Sequence, residues 1–173
     1  MVVPANSYAA QVSAALVQQL ADGITFQGWC GNGGVANATL AKAFIIEDDG
    51  GDLATVYSST DVALVCAGNN WSVVRMLQSR RPQRAFQTWG NEGEAEIWIM
   101  EKLTANDFAP DQFRRARNNA GYIATDMQGL VGTSSARIAG GHFELGETTL
   151  TDKTGALAGY IITKINNAWR DLP

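Results

Sequence analysis

The segment from Asp107 to Val131 carries apolar residues at steps of three and four along nearly its whole length. This stripe comprises Phe113, Ala116, Ala120, Ile123, Met127 and Leu130. Such steps place side chains on one face of an α-helix. A helix of about 20 residues is about 30 Å long, which is enough to cover a sheet in a small protein. The spacing therefore predicts a sheet-covering helix with one apolar face.

A shorter amphipathic helix is predicted over residues 7–22, with Ser7 as its cap and Asp22-Gly23 as its end. Its apolar positions are Ala9, Val12, Leu16, Val17 and Leu20, and its polar positions are Gln11, Ser13, Gln18 and Gln19. Because these two sets alternate with helical spacing, we expect this helix to pack through one face only.

Short β-prone runs separated by Gly, Asn and Asp follow the first helix, and two more follow the long one. The predicted strands are residues 41–47, 53–57 or a neighbouring stretch, 61–66, 71–78 and 94–102, then 137–146 and 158–167. In the middle of the run from Ala95 to Glu101, both the odd-numbered and the even-numbered positions are apolar. This pattern predicts a central strand that is covered on both faces.

The order of these elements is helix, several strands, long helix, two strands. Strand–helix–strand alternation does not repeat, which disfavours a parallel doubly wound sheet. We therefore expect an α+β fold in which an antiparallel sheet of about five to seven strands is covered on one side by two helices. With 173 residues and no internal repeat, the chain is expected to form a single domain over residues 1–173.

Composition excludes several classes of protein. Hydrophobic residues make up 46% and charged residues 17% of the chain, as in globular domains. The low charge and the 18 glycines favour a surface covered by another subunit, or a protein with Gly-rich loops. The net charge of −4 gives no bias toward sequence-specific nucleic-acid binding. We expect no membrane span and no signal peptide, and a reduced cytoplasmic setting for Cys30 and Cys66.

The residue clusters that catalysis requires are missing from the sequence. His142 is the single imidazole, and two cysteines without a CxxC pair cannot complete a zinc site. Residues 47–52 lack the spacing of a calcium loop, and residues 28–34 lack the Lys-Ser/Thr of a phosphate loop. We therefore predict no catalytic, cofactor-binding or metal-binding residues and no enzyme activity. The competing hypothesis, an enzyme or ligand-binding domain, requires a pocket at the sheet edge in which His142, Glu144, Trp98 or Arg137 converge.

Basic and aromatic residues do cluster, and they are the candidate interface. The set comprises Arg75, Arg80, Arg81, Arg84, Phe86 and Trp89, then Arg114 and Arg115 on the long helix, and Trp29 in the glycine-rich residues 28–34. Arginine and tryptophan are enriched at protein interfaces, although a solvated loop or a nucleic-acid contact has the same composition. Because Arg114, Arg115 and Arg117 lie off the apolar stripe, we expect them to be free for neighbours. In an acidic chain this pattern favours a protein partner.

The layout of the chain resembles that of tail-terminator and tail-completion (neck) proteins of tailed bacteriophages. The resemblance rests on the first helix, residues 52–57 leading to residues 61–67, an Ile/Trp-rich strand, a long helix and a closing hairpin. It implies a virion structural protein, assembled in the host cytoplasm, that forms a usually sixfold homo-oligomeric ring at the head-proximal end of the tail tube. Its implied partners are itself, the tail tube protein and the head–tail connector or stopper protein, with no cofactor.

Two features depart from a minimal member of that family, namely the glycine-rich insertion after Phe26 and the extended closing hairpin. Either feature is compatible with a different neck component such as a head–tail connector. A tail-tube subunit is a further alternative, because it differs from a terminator only in whether its ring stacks on itself.

Overall fold

The computed structural model describes residues 8–31, 45–48, 70–80, 92–103, 109–131, 138–150 and 159–171. Its elements are α1 (Tyr8–Asp22), α2 (Ile24–Trp29), β1 (Ile45–Asp48), β2 (Trp71–Arg80), β3 (Glu92–Lys102), α3 (Ala109–Gly129), β4 (Ile138–Leu150) and β5 (Tyr160–Asp171). Within these residues the strands form one sheet in the order β1-β2-β3-β5-β4. The β1–β2 pair is parallel, and the other neighbouring pairs are antiparallel. The predicted α+β fold is confirmed, with a mainly antiparallel sheet.

Strand β3 lies at the centre of this sheet and is buried on both faces. Ile97 and Ile99 belong to the main hydrophobic cluster together with residues of all three helices. Met100, on the opposite face, is also fully buried and lies across from Ile162 in the register. The predicted central strand is therefore confirmed. We call the side of the sheet that packs on the helices the helical face, and the opposite side the second face.

Helix α3 buries its predicted stripe against the helical face. Ala116, Ala120, Ile123 and Met127 are buried, whereas Phe113 and Leu130 at the two ends are half-buried. The expectation that the first helix packs through one face only is wrong, because Ser13 and Gln19 of its polar set are also buried. Helix α1 contacts β2, α2 and α3, and Gln19 Nε2 donates a hydrogen bond to the Met127 carbonyl oxygen.

Helix α2 forms where the sequence pattern predicted no helix, and Cys30 at its end is buried. Gly23 precedes the helix and supplies no side-chain cap. Instead the Asp126 carboxylate of α3 accepts a hydrogen bond of 2.9 Å from the Thr25 N–H. A residue distant in sequence thus satisfies one of the unpaired amides at the helix start, which a local sequence pattern does not reveal.

The strand predictions differ in outcome. The expectations at 71–78 and 94–102 are confirmed by β2 and β3, and those at 137–146 and 158–167 by the longer β4 and β5. The predicted strand at 41–47 overlaps β1 over residues 45–47. The predicted strands at 53–57 and 61–66, and the cap at Ser7, lie outside the described residues.

Side chains of α3 bond the backbone of β4, the last strand of the described sheet. Gln128 Nε2 donates to the Gly141 carbonyl oxygen at 2.9 Å, and Gln128 Oε1 accepts from the Phe143 N–H at 3.0 Å. Arg117 Nη1 donates to the Gly146 carbonyl oxygen at 3.0 Å, so the expectation that Arg117 is free is wrong. These bonds occupy backbone groups that an edge strand otherwise offers to another chain.

Replacing two glycines of this region with alanine is expected to change the free energy of unfolding in opposite directions. A Cβ at Gly146 would lie 3.1 Å from Asn166 Nδ2 and 3.2 Å from the Lys164 carbonyl oxygen, whereas a Cβ at Gly121 in α3 meets nothing within 4 Å. We expect G121A to raise the free energy of unfolding by up to about 1 kcal/mol, since alanine favours helix. We expect G146A to lower it by about 1 to 3 kcal/mol through overpacking. Urea denaturation measures both, and a neutral or stabilising G146A would contradict the β4 packing.

Candidate functional site

The predicted interface residues do not form one surface in the described structure. Arg81, Arg84, Phe86 and Trp89 lie outside the described residues, as does the side chain of Arg80 at the end of β2. Arg75 lies half-buried on β2, with its guanidinium 4.9 Å from the centre of the Trp98 ring. Arg114 is exposed and pairs with Asp111 at 3.2 Å, one helical turn away. The remaining two, Trp29 and Arg115, meet at a single carboxylate.

That carboxylate belongs to Glu101, near the end of the central strand β3. Arg115 Nε lies 3.0 Å from Glu101 Oε1, while Trp29 Nε1 and Asn119 Nδ2 donate to Oε2 at 3.1 and 2.9 Å. The Glu101 side chain is only 7% exposed, whereas that of Arg115 is 47% exposed. Burial of a carboxylate is costly unless it is paired and hydrogen-bonded. The three donors meet this requirement, and we call these four residues the Glu101 cluster.

The Glu101 cluster changes the interpretation of two predicted interface residues. Arg115 was expected to be free for a neighbour, which is wrong because it is bonded to Glu101. Trp29, predicted as an interface residue in the glycine-rich residues 28–34, ends α2 and donates to the same carboxylate. In the sequence, Glu101 is one of several glutamates on its strand, and nothing in that pattern distinguishes it from an exposed residue.

A cleft of about 640 Å³ opens beside the Glu101 cluster. Its lining includes Trp29, Glu101, Lys102, Arg115 and Asn119, with Ile24 80% exposed. Asn70 also lines the cleft and links its two sides, since Asn70 Nδ2 donates to the Trp29 carbonyl oxygen and Asn70 Oδ1 accepts from the Lys102 N–H. The cleft thus combines charged, amide and apolar groups, as a pocket for a small polar ligand does.

The second face of the sheet carries a cation–aromatic stack. Arg75 and Lys164 each lie 4.9 Å from the centre of the Trp98 ring, and Trp98 Nε1 donates to Glu96 Oε2 at 2.9 Å. Lys164 also bonds Glu147 at 2.8 Å. Cations near an indole ring are attracted by its quadrupole. Toward one end of this face the side chains are buried, and they include Trp71, Val73, Met100, Tyr160 and Ile162.

The other end of the second face is open. A groove of about 270 Å³ is lined there by Leu77, Glu94, Ala95, His142, Glu144, Asn166, Asn167 and Ala168. The competing enzyme hypothesis required His142, Glu144, Trp98 or Arg137 to converge in a pocket at the sheet edge. His142 and Glu144 do line the same groove, but Trp98 does not line it, and Arg137 lies outside the described residues.

The part of the chain that the structure describes contains no group of three or more His, Cys, Asp or Glu residues that could hold a metal ion. None of its helices is long and apolar enough to cross a membrane. No protein-family model matches the chain, and no curated protein sequence matches it significantly.

The Glu101 cluster makes a quantitative prediction about stability. Replacing Glu101 with Leu leaves the Trp29 N–H and the Asn119 amide, both on partly buried side chains, without their acceptor. We therefore expect E101L to lower the free energy of unfolding by about 2 to 4 kcal/mol. The matched control is D111A, which removes an exposed ion pair and should cost less than about 1 kcal/mol. Urea denaturation of both variants measures the difference. Equal losses in the two variants would contradict the structural role of the cluster.

Proposed function

We propose that this protein is a virion assembly subunit that forms a ring at the head-proximal end of a phage tail tube. In this role the ring ends tail polymerisation and joins the tail to the head connector. The proposal takes its starting point from the resemblance of the chain to tail-terminator and tail-completion proteins. It makes the protein a structural component whose partners are other copies of itself, the tail tube protein and the connector.

The observation that carries the proposal is the distribution of polar groups between the two faces of the sheet. In the helical layer, the polar side chains of the Glu101 cluster bind one another across α2, β3 and α3. On the second face, by contrast, Leu77, Glu94, His142 and Glu144 are exposed. Such an arrangement favours a rigid scaffold that presents one face to neighbours over an enzyme with convergent reactive groups.

Ring formation also requires a physical property of the subunit surface. A head-to-tail ring uses two different patches on each subunit, which must be complementary to each other. The backbone of β4 is a poor candidate for strand addition, because Gln128 and Arg117 already bond it at Gly141, Phe143 and Gly146. The neighbour contacts of a ring are therefore expected to involve side chains on the second face rather than this edge.

A second candidate function is a small α+β ligand-binding domain, and the cleft beside the Glu101 cluster favours it. The cleft, at about 640 Å³, is large enough for a small molecule. The half-exposed Arg115 would favour an anionic group there. This alternative predicts a monomer whose Tm rises when an anionic ligand is added.

Sedimentation velocity and negative-stain imaging of the purified protein test the proposed function. The proposal predicts a closed ring of one size, with a sixfold ring as the expectation from the resemblance. Rings that stack into open-ended tubes would contradict the terminator role and support a tail-tube subunit. A protein that stays monomeric over the whole accessible concentration range would contradict ring formation and favour the ligand-binding domain.

A further inference from the structure

The open end of the second face contains a groove of distinct character, which we call the acidic groove and define by Leu77, Glu94, His142, Glu144 and Ala168. All five of these residues are exposed, and Leu77 is a large apolar side chain with 51% of its surface accessible. These side chains are exposed in one subunit taken by itself. The groove is therefore open within one subunit.

Two β-bulges build the acidic groove. On β2, Met76 pairs with Ala95 and Gln78 with Glu94, which leaves Leu77 as an extra residue. On β4, the register shifts between Ala139 and His142. Both irregularities lie at the same level of the sheet, because Ala168 of β5 is the partner of both Glu94 and His142. Bulges bend a strand and increase its twist, and they recur where a surface is shaped for function.

The charge of the acidic groove comes from Glu94 and Glu144, which belong to adjacent rows of the sheet. Two basic residues of the same face each have an acidic partner or neighbour of their own. Lys164 bonds Glu147 at 2.8 Å, and Arg170 lies directly across from Glu92 in the register. The groove thus combines negative charge with an exposed apolar side chain, so it fits a partner segment that is basic and apolar together.

The chain itself contains one such segment, residues 80–89, with the sequence Arg-Arg-Pro-Gln-Arg-Ala-Phe-Gln-Thr-Trp. It carries Arg80, Arg81 and Arg84, no acidic residue, and the aromatic side chains of Phe86 and Trp89. The same basic and aromatic combination is enriched in the anchors of protein interfaces. The charges of this segment and of the acidic groove are complementary.

We propose that the acidic groove of one subunit binds residues 80–89 of a second copy of the chain. Glu94 and Glu144 bind the arginines, and Leu77 packs against the aromatic side chains. Because the groove and the segment are different patches, the contact is head-to-tail and closes into a ring when the rotation permits. The inference rests on the proposed function, since it names the contact by which the subunits of the ring recognise one another.

Charge reversal on each side of the contact tests this inference. The groove variant is E94R/E144R, the segment variant is R81E/R84E, and the combined variant carries all four changes. All substituted groove positions are exposed, so we expect the circular dichroism spectrum to be unchanged and the Tm to change by only a few degrees. The matched control is D22R/D111R, which reverses two exposed carboxylates of the helical layer.

Sedimentation velocity should show that the groove variant and the segment variant each lose the ring and sediment as monomers, since like charges then face each other. A mixture of the two variants should assemble again. In the mixture every groove meets a segment of opposite charge, and the two variants alternate around an even-numbered ring. The combined variant should also assemble, and the D22R/D111R control should behave as wild type.

The possible outcomes separate this contact from the proposed function. If the wild-type protein forms rings and both reversed variants still do so, the contact is overturned while the ring function stands. Loss of assembly without recovery in the mixture and in the combined variant also overturns the contact. A monomeric wild-type protein overturns both the contact and the ring function. Binding of residues 80–89 to the groove of the same chain would give such a monomer.

Discussion

The carboxylate of Glu101 sets the arrangement of the helical layer. A carboxylate with so little exposure requires bonds that compensate for lost water, and the three donors come from α2 and from two turns of α3. Trp29 of α2 is therefore held at the end of the central strand, and α3 is held in register along the sheet. Hydrophobic burial supplies most of the driving force for packing. The bonds to Glu101 tie both helices to the end of the central strand.

In the proposed ring, neighbours are recognised on the second face. The side chains of the Glu101 cluster are bonded to one another, and Gln128 of α3 also bonds part of the β4 backbone. On the second face the Trp98 stack joins three strands, while the acidic groove beyond it is open. Rigid presentation of an exposed groove suits an assembly protein, because a preorganised surface loses little conformational entropy on binding.

Periodic burial was readable from the sequence. Steps of three and four residues predicted the long helix and the first helix. Apolar residues at both odd and even positions of residues 95–101 predicted the central strand. The helix α2 was not readable, because its cap is the Asp126 carboxylate from α3 rather than a neighbour in sequence. The parallel β1–β2 pair was equally hidden, since the apolar pattern of β1 does not encode the direction of its partner.

The candidate site was only partly predictable for a related reason. Composition identified Trp29 and Arg115 as notable residues, but their role depends on Glu101, which approaches them only in the folded chain. The acidic groove depends on two bulges and on the alignment of Glu94, Ala168 and His142 across three strands. Sequence spacing within one strand carries no information about alignment across strands, because register is set by tertiary packing.

Hydroxyl-radical footprinting of the assembled and the dissociated protein tests most directly whether the second face is the face that meets neighbours. The four reporter side chains are Leu77 and His142 on the second face, and Ile24 and Tyr122 on the helical layer, which are 80% and 65% exposed. We predict that assembly protects Leu77 and His142 from oxidation and leaves Ile24 and Tyr122 reactive. Protection of Ile24 and Tyr122 with unchanged reactivity of Leu77 and His142 would contradict the account.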